Sequence, residues 1–119
     1  MYFWIVLVLL SVAGCTSVPD TAALGDQLQP SPDLTPREVV QIQLEAFSNN
    51  DADNRGIAVA FRFASPANRR TTGPLSRFAR MMRAPDYRAM LNNVDVQYAP
   101  TAFSRGVAVQ RVLIRTAVG

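Results

Sequence analysis

The side chains able to do chemistry in this sequence are nine carboxylates, twelve arginines, three tyrosines and a single cysteine, Cys15; histidine and lysine do not occur. One such chain cannot assemble a metal site of four cysteines, of two cysteines with two histidines, or of three histidines. It also cannot form a Ser-His-Asp or Cys-His catalytic group or an internal disulfide. A Schiff-base lysine is excluded as well. Acid–base work would fall to Asp, Glu or Tyr. The run Asp51-Ala52-Asp53-Asn54-Arg55-Gly56 opens like a calcium loop. It places Arg55 at the fifth position and Arg62 at the twelfth, where a bidentate Glu is required, so helix termination and capping explain its acids better. No metal or cofactor is expected.

The arginines are segregated. Residues 16–54 hold seven acids against one arginine, and residues 55–88 hold eight arginines against one acid. Arg69, Arg70, Arg77, Arg80 and Arg83 could form an anion-facing patch that meets lipid phosphates or an acidic protein. The plainer alternative is a solvated helix face, partly neutralised by the acidic segment before it. A third constellation is apolar. Phe47, Phe61 and Phe78 could line a pocket with Gln43 and Tyr98 as polar contacts, or they could pack into a solid core with Gln43 bonded to backbone. Asp95 falls at an outward strand position, a poor place for acid–base work.

The elements that must position these residues are legible in part. Thr35-Pro36-Arg37-Glu38 reads as a helix start, with Thr at the N-cap, Pro at N1 and Glu at N3. Val39, Val40, Ile42, Leu44, Ala46 and Phe47 then share one side of the helix, with Gln43 projecting from its middle. Asn49-Asn50-Asp51 ends it. Ile57–Ala64 fits both a strand and a helix by pattern; its alanines favour a helix, which Asp53 would cap. Residues 65–73 read as a loop. Pro74 suits the first turn of a helix with Leu75, Phe78, Ala79 and Met82 inside and Arg77, Arg80 and Arg83 outside, and Pro85 stops it. Val94, Val96 and Tyr98 mark a strand. Residues 106–115 mark a second, with a change of apolar phase that predicts a bulge near Gln110-Arg111. Helices followed by strands imply an α+β domain, with helices on one face of an antiparallel sheet.

The N-terminus reads as an address. Tyr2–Leu10 is an unbroken apolar run, shorter than the roughly 20 residues a spanning helix needs, as in a signal-peptide core. It leads into Val12-Ala13-Gly14-Cys15, which resembles the lipobox of bacterial lipoproteins. Met1–Phe3 departs from that pattern in carrying no basic side chain. The resemblance implies cleavage between Gly14 and Cys15, acylation of Cys15, and a cell-envelope location. With Thr16 after the cysteine, that location is the outer membrane where the host has one, and otherwise the outer face of the cell membrane. Several acyl chains make a stable anchor without a spanning helix. Residues 1–14 are then a signal peptide, residues 15–34 a lipidated cysteine with a Pro-containing tether reaching about 25 Å, and residues 35–119 the folded module. Export also argues against nucleic acid as a partner, and no stacking aromatics interleave with the arginines.

Phe61-Arg62-Phe63-Ala64-Ser65-Pro66-Ala67-Asn68-Arg69 and Thr72-Gly73-Pro74-Leu75-Ser76-Arg77-Phe78-Ala79-Arg80-Met81, with the helix beginning Pro36-Arg37-Glu38-Val39-Val40, resemble a small uncharacterised domain family. That family is in turn similar to the nuclear-transport-factor-2-like superfamily. The resemblance implies helices on a curved antiparallel sheet, a cone with one internal pocket, and a helix over Ile57–Ala64. It implies a fold and not a reaction. Relatives continue into further strands after the segment matching Val107–Ile114, so the sheet is expected to be incomplete here unless a second copy completes it as a homodimer. These readings together favour a membrane-anchored lipoprotein with a non-catalytic ligand- or partner-binding module. The competing expectation is a small cone-type isomerase or hydrolase using Asp or Tyr as acid and base.

Overall fold

A computed structural model describes residues 2–8 and 28–117. The chain runs β1 (Tyr2–Val8), α1 (Pro36–Ser48), α2 (Arg55–Phe63), α3 (Pro66–Thr72), α4 (Leu75–Met82), α5 (Arg88–Leu91), β2 (Asn93–Tyr98), β3 (Ala102–Ser104) and β4 (Val107–Thr116). The arrangement is α+β, with helices packed against an open antiparallel sheet. β4 lies at its centre. β2 and β3 pair with opposite halves of one flank, and β1 pairs along the other from Tyr2↔Leu113 to Val8↔Val107. Part of the run expected to be a signal-peptide core is thus a strand here. It pairs along one flank of β4, the sheet remains open, and the cleavage expected between Gly14 and Cys15 would remove this strand.

α1 begins as its sequence dictates. Thr35 Oγ1 accepts from the Glu38 amide at 3.2 Å, and the Thr35 amide donates to Glu38 Oε2 at 2.6 Å, a reciprocal capping box. The helix then has two apolar flanks. Val40, Leu44 and Phe47 join Ile57, Ala60, Phe78, Met82, Met90, Val112 and Ile114 in the main core. Val39 joins Val59 and Phe63 in a smaller cluster, covered by Leu28, Leu34, Ile42 and Ala46. Leu28 and Leu34 lie within the stretch expected as tether, and both pack against the module.

α2 is a helix, but Asp53 does not cap it. Asn54 occupies the N-cap in a left-handed conformation without a side-chain bond. Asp51 Oδ1 instead accepts from the amides of Asp53 and Arg55, and Asn50 Oδ1 accepts from Ile57 N at 3.0 Å. The expected loop over residues 65–73 is largely α3. Ser65 Oγ caps it by accepting from Asn68 N at 3.1 Å, and Pro66 follows at N1. No residue of α3 is buried, so the helix leaves no apolar periodicity in the sequence. α5 is a single turn that buries only Met90.

β4 carries no bulge at Gln110-Arg111. Its inward series is Ala108, Gln110, Val112 and Ile114, in unbroken alternation. The irregularity lies in β2, between Asn93 and Asp95. The apparent change of phase arises because Gln110 is an interior residue at 0% exposure. Its Nε2 donates to the Ala99 carbonyl at 2.6 Å and the Arg111 carbonyl at 3.0 Å, while Oε1 accepts from Thr101 Oγ1 at 2.6 Å. Replacing Gln110 with Leu keeps the volume but strands Ala99 O and the Thr101 hydroxyl. We expect a loss of about 1–3 kcal/mol in urea unfolding, part of it recovered when Thr101→Val is added.

Gly56 fixes the α1–α2 approach. A Cβ there would run into the Ala46 carbonyl and come within 2.8 Å of Asn50 Cα. Gly→Ala in a helix interior ordinarily stabilises by about 1 kcal/mol. Gly56→Ala should do the opposite and cost about 1–3 kcal/mol, read as a lowered denaturation midpoint.

Candidate functional site

The expected pocket residues divide between core and rim. Phe47 and Phe78 are buried, with ring centroids 6.4 Å apart, and Phe61 lies half-buried at 5.0 Å from Phe78. These three rings join α1, α2 and α4. Gln43 points to α2, where its Nε2 donates to the Ala60 carbonyl at 3.1 Å. That bond answers the polar atom on the apolar side of α1. Tyr98 packs half-buried at the edge of the same core, with the Arg37 guanidinium 4.9 Å from its ring centroid. Burial first, and then the Glu45 carboxylate, push the Tyr98 phenol pKa above its ordinary 10.0; Arg37 opposes the shift. Tyr98 therefore stays protonated at neutral pH.

Asp95 stands on β2 opposite Arg115 of β4, and the two form an exposed ion pair at 3.6 Å. Asp51 and Asp53 pair with Arg55 at 3.4 and 3.5 Å. Every carboxylate among the described residues is exposed. No group of His, Cys, Asp and Glu among the described residues could hold a metal ion. Gly14 and Cys15, the expected cleavage and lipidation positions, lie outside the described residues.

The five arginines of the expected patch fall on one pair of helices. Arg69 and Arg70 lie on α3, Arg77 and Arg80 on α4, and Arg83 at the C-cap of α4; all five are exposed. Arg83 Nη2 donates to Asn54 Oδ1. The ion pairs among the described residues leave out the other four. Residues 57–85 contain no Asp or Glu, so neither helix can neutralise its own arginines. α3 is set against α4 by a close approach: a Cβ on Gly73 would meet Phe61 Cζ at 3.2 Å, and Phe61 in turn packs on Phe78 of α4. Leu75 lies beside these arginines at 40% exposure.

One contact had no signal in the sequence. Arg62 Nη1, on the last turn of α2, donates to the Leu28 carbonyl at 2.8 Å. It ties the segment before α1 to the last turn of α2.

The Tyr98 environment makes a testable statement. The folded chain holds this proton more tightly than the unfolded one. The stabilisation is therefore intact below the ordinary tyrosine pKa and is lost as pH rises through the folded-state value. Thermal melts between about pH 8 and 11 should show a steeper alkaline loss for the parent chain than for Tyr98→Phe.

No curated protein and no solved structure matches this chain. A family model does, described as a domain of unknown function, DUF4864, over residues 30–119. Those residues take in every helix and the strands β2, β3 and β4. The chain therefore belongs to the DUF4864 family.

Proposed function

We propose that this protein is a lipoprotein, anchored through Cys15, whose DUF4864 module acts as a non-catalytic binding domain at the cell envelope. The observation that carries the anchor is Val12-Ala13-Gly14-Cys15 following an apolar run too short to span a bilayer. Cys15 precedes Leu28, which packs against the module, by thirteen residues. Acyl chains on Cys15 would hold the module at the membrane surface, on the outer membrane where the host has one. An arrangement of helices on an antiparallel sheet is also what the likeness to the nuclear-transport-factor-2-like superfamily leads one to expect.

Binding is favoured over catalysis by the state of the candidate acids. A general base needs a carboxylate shielded enough for its pKa to rise toward neutrality. Asp95 is instead exposed and ion-paired with Arg115, and Asp51 is occupied by backbone amides and Arg55. Tyr98 is held in its protonated form, suited to donating a hydrogen bond and unsuited to removing a proton at neutral pH.

Metabolic labelling with radioactive palmitate tests the anchor. The parent chain should incorporate label and appear as the shorter processed form. Cys15→Ala should lose both. Label retained by Cys15→Ala, or absent from the parent, would rule the anchor out.

A further inference from the structure

We propose that the α3–α4 arginine corner is a docking surface for anionic phospholipid headgroups. This deepens the lipoprotein reading and rests on it for the module's place beside a bilayer. Three observations carry it.

The first is charge. Arg69, Arg70, Arg77 and Arg80 are exposed, and the ion pairs among the described residues do not involve them. The stretch from Ile57 to Pro85 supplies no carboxylate that could draw them into pairs of their own. Guanidinium groups bind phosphate oxygens through paired N–H donors and are weakly hydrated cations, so they suit a phosphate-rich plane. The second is form. α3 buries none of its residues, so it contributes little to the core. It stands out as a helix whose capping and close seat over Phe61 fix its place. Leu75, at 40% exposure, adds an apolar side chain to the same corner.

The third observation chooses between a membrane and an acidic protein. Cys15 lies thirteen residues before Leu28 in the sequence, and Leu28 packs against the module. Acyl chains on Cys15 would therefore keep the module beside a bilayer. A cation close to an anionic leaflet is attracted across roughly one Debye length, about 10 Å.

The test separates the corner from the anchor. The full chain carrying Cys15→Ala lacks the acylated cysteine but keeps the apolar segment of residues 2–10. It is compared with the same chain also carrying Arg69→Gln, Arg70→Gln, Arg77→Gln and Arg80→Gln. Both are floated with phosphatidylglycerol-containing vesicles and with phosphatidylcholine vesicles. Contributions from the apolar segment are common to both proteins, so the difference reports the arginines. Retention on the anionic vesicles should fall at least about tenfold in the quadruple variant, and the parent's preference for anionic over neutral lipid should vanish in high salt. Circular dichroism of the two proteins should coincide, because the four side chains are exposed. Equal flotation of the two proteins, or equal retention on both lipids, would overturn the proposal. So would binding to soluble polyglutamate without vesicle binding, which would assign the corner to an acidic protein. Palmitate labelling fails or succeeds independently of these results, so loss of the anchor and loss of the docking surface are told apart.

Discussion

A Cβ at residue 56 would collide with the Ala46 carbonyl, so α2 can lie this close to α1 only because that residue is glycine. The close approach has consequences on both flanks of α1. It brings Val59 and Phe63 under Val39, closing the smaller cluster that Leu28 and Leu34 cover. It also brings Ala60 within reach of Gln43 Nε2 and puts Phe61 beside Phe78. One missing side-chain atom thus sets the partner of the only polar residue on the apolar side of α1. It also sets the position of α4 and the seat of the leader. Interiors are packed closely enough that a shift of this contact would propagate to all of them.

The second organising feature is the placement of charge. Several of the described acids lie at helix boundaries or on a strand, where they cap, bind backbone amides or pair with nearby arginines. Glu38 closes the capping box, Asp51 organises the start of α2, and Asp95 faces Arg115 across the strands. Exposed pairs of this kind contribute little to stability, about 0–1 kcal/mol each. Their absence from α3 and α4 therefore costs the fold little. It leaves α3 and α4 positively charged, because Arg69, Arg70, Arg77 and Arg80 share their helices with no acid.

How much of this can be read from sequence depends on whether a residue's role leaves a local mark. α1 is legible from end to end because Thr35-Pro36 and Glu38 state its start and its apolar spacing states its face. α3 escapes such a reading, although Ser65-Pro66 repeats the Thr-Pro signal that identifies α1, because a helix that buries nothing has no apolar period to confirm it. The phase of β4 misleads for the opposite reason. Gln110 is polar yet fully interior, so the valines around it suggest a bulge that its three side-chain hydrogen bonds make unnecessary. The arginine corner is legible because charge predicts exposure well. Tyr98 can be named, but its Arg37 and Glu45 surroundings cannot, since they depend on how β2 crosses α1.

The contact between Arg62 and Leu28 shows how much of the fold hangs on α2. Leu28 and Leu34 lie over Val39, Val59 and Phe63, and the Arg62 guanidinium holds the Leu28 carbonyl from the last turn of the helix. Phe61, between Val59 and Phe63 in sequence, turns the other way and packs on Phe78 of α4. Residues 61 and 63 are two apart, about 200° around a helix, so one face of α2 holds the segment that precedes α1 and another holds the arginine-bearing α4. A helix so placed has no free side on which to absorb a shift. Any change that pushed α2 off α1 at Gly56 would disturb both attachments together, because closely packed interiors transmit displacement instead of damping it.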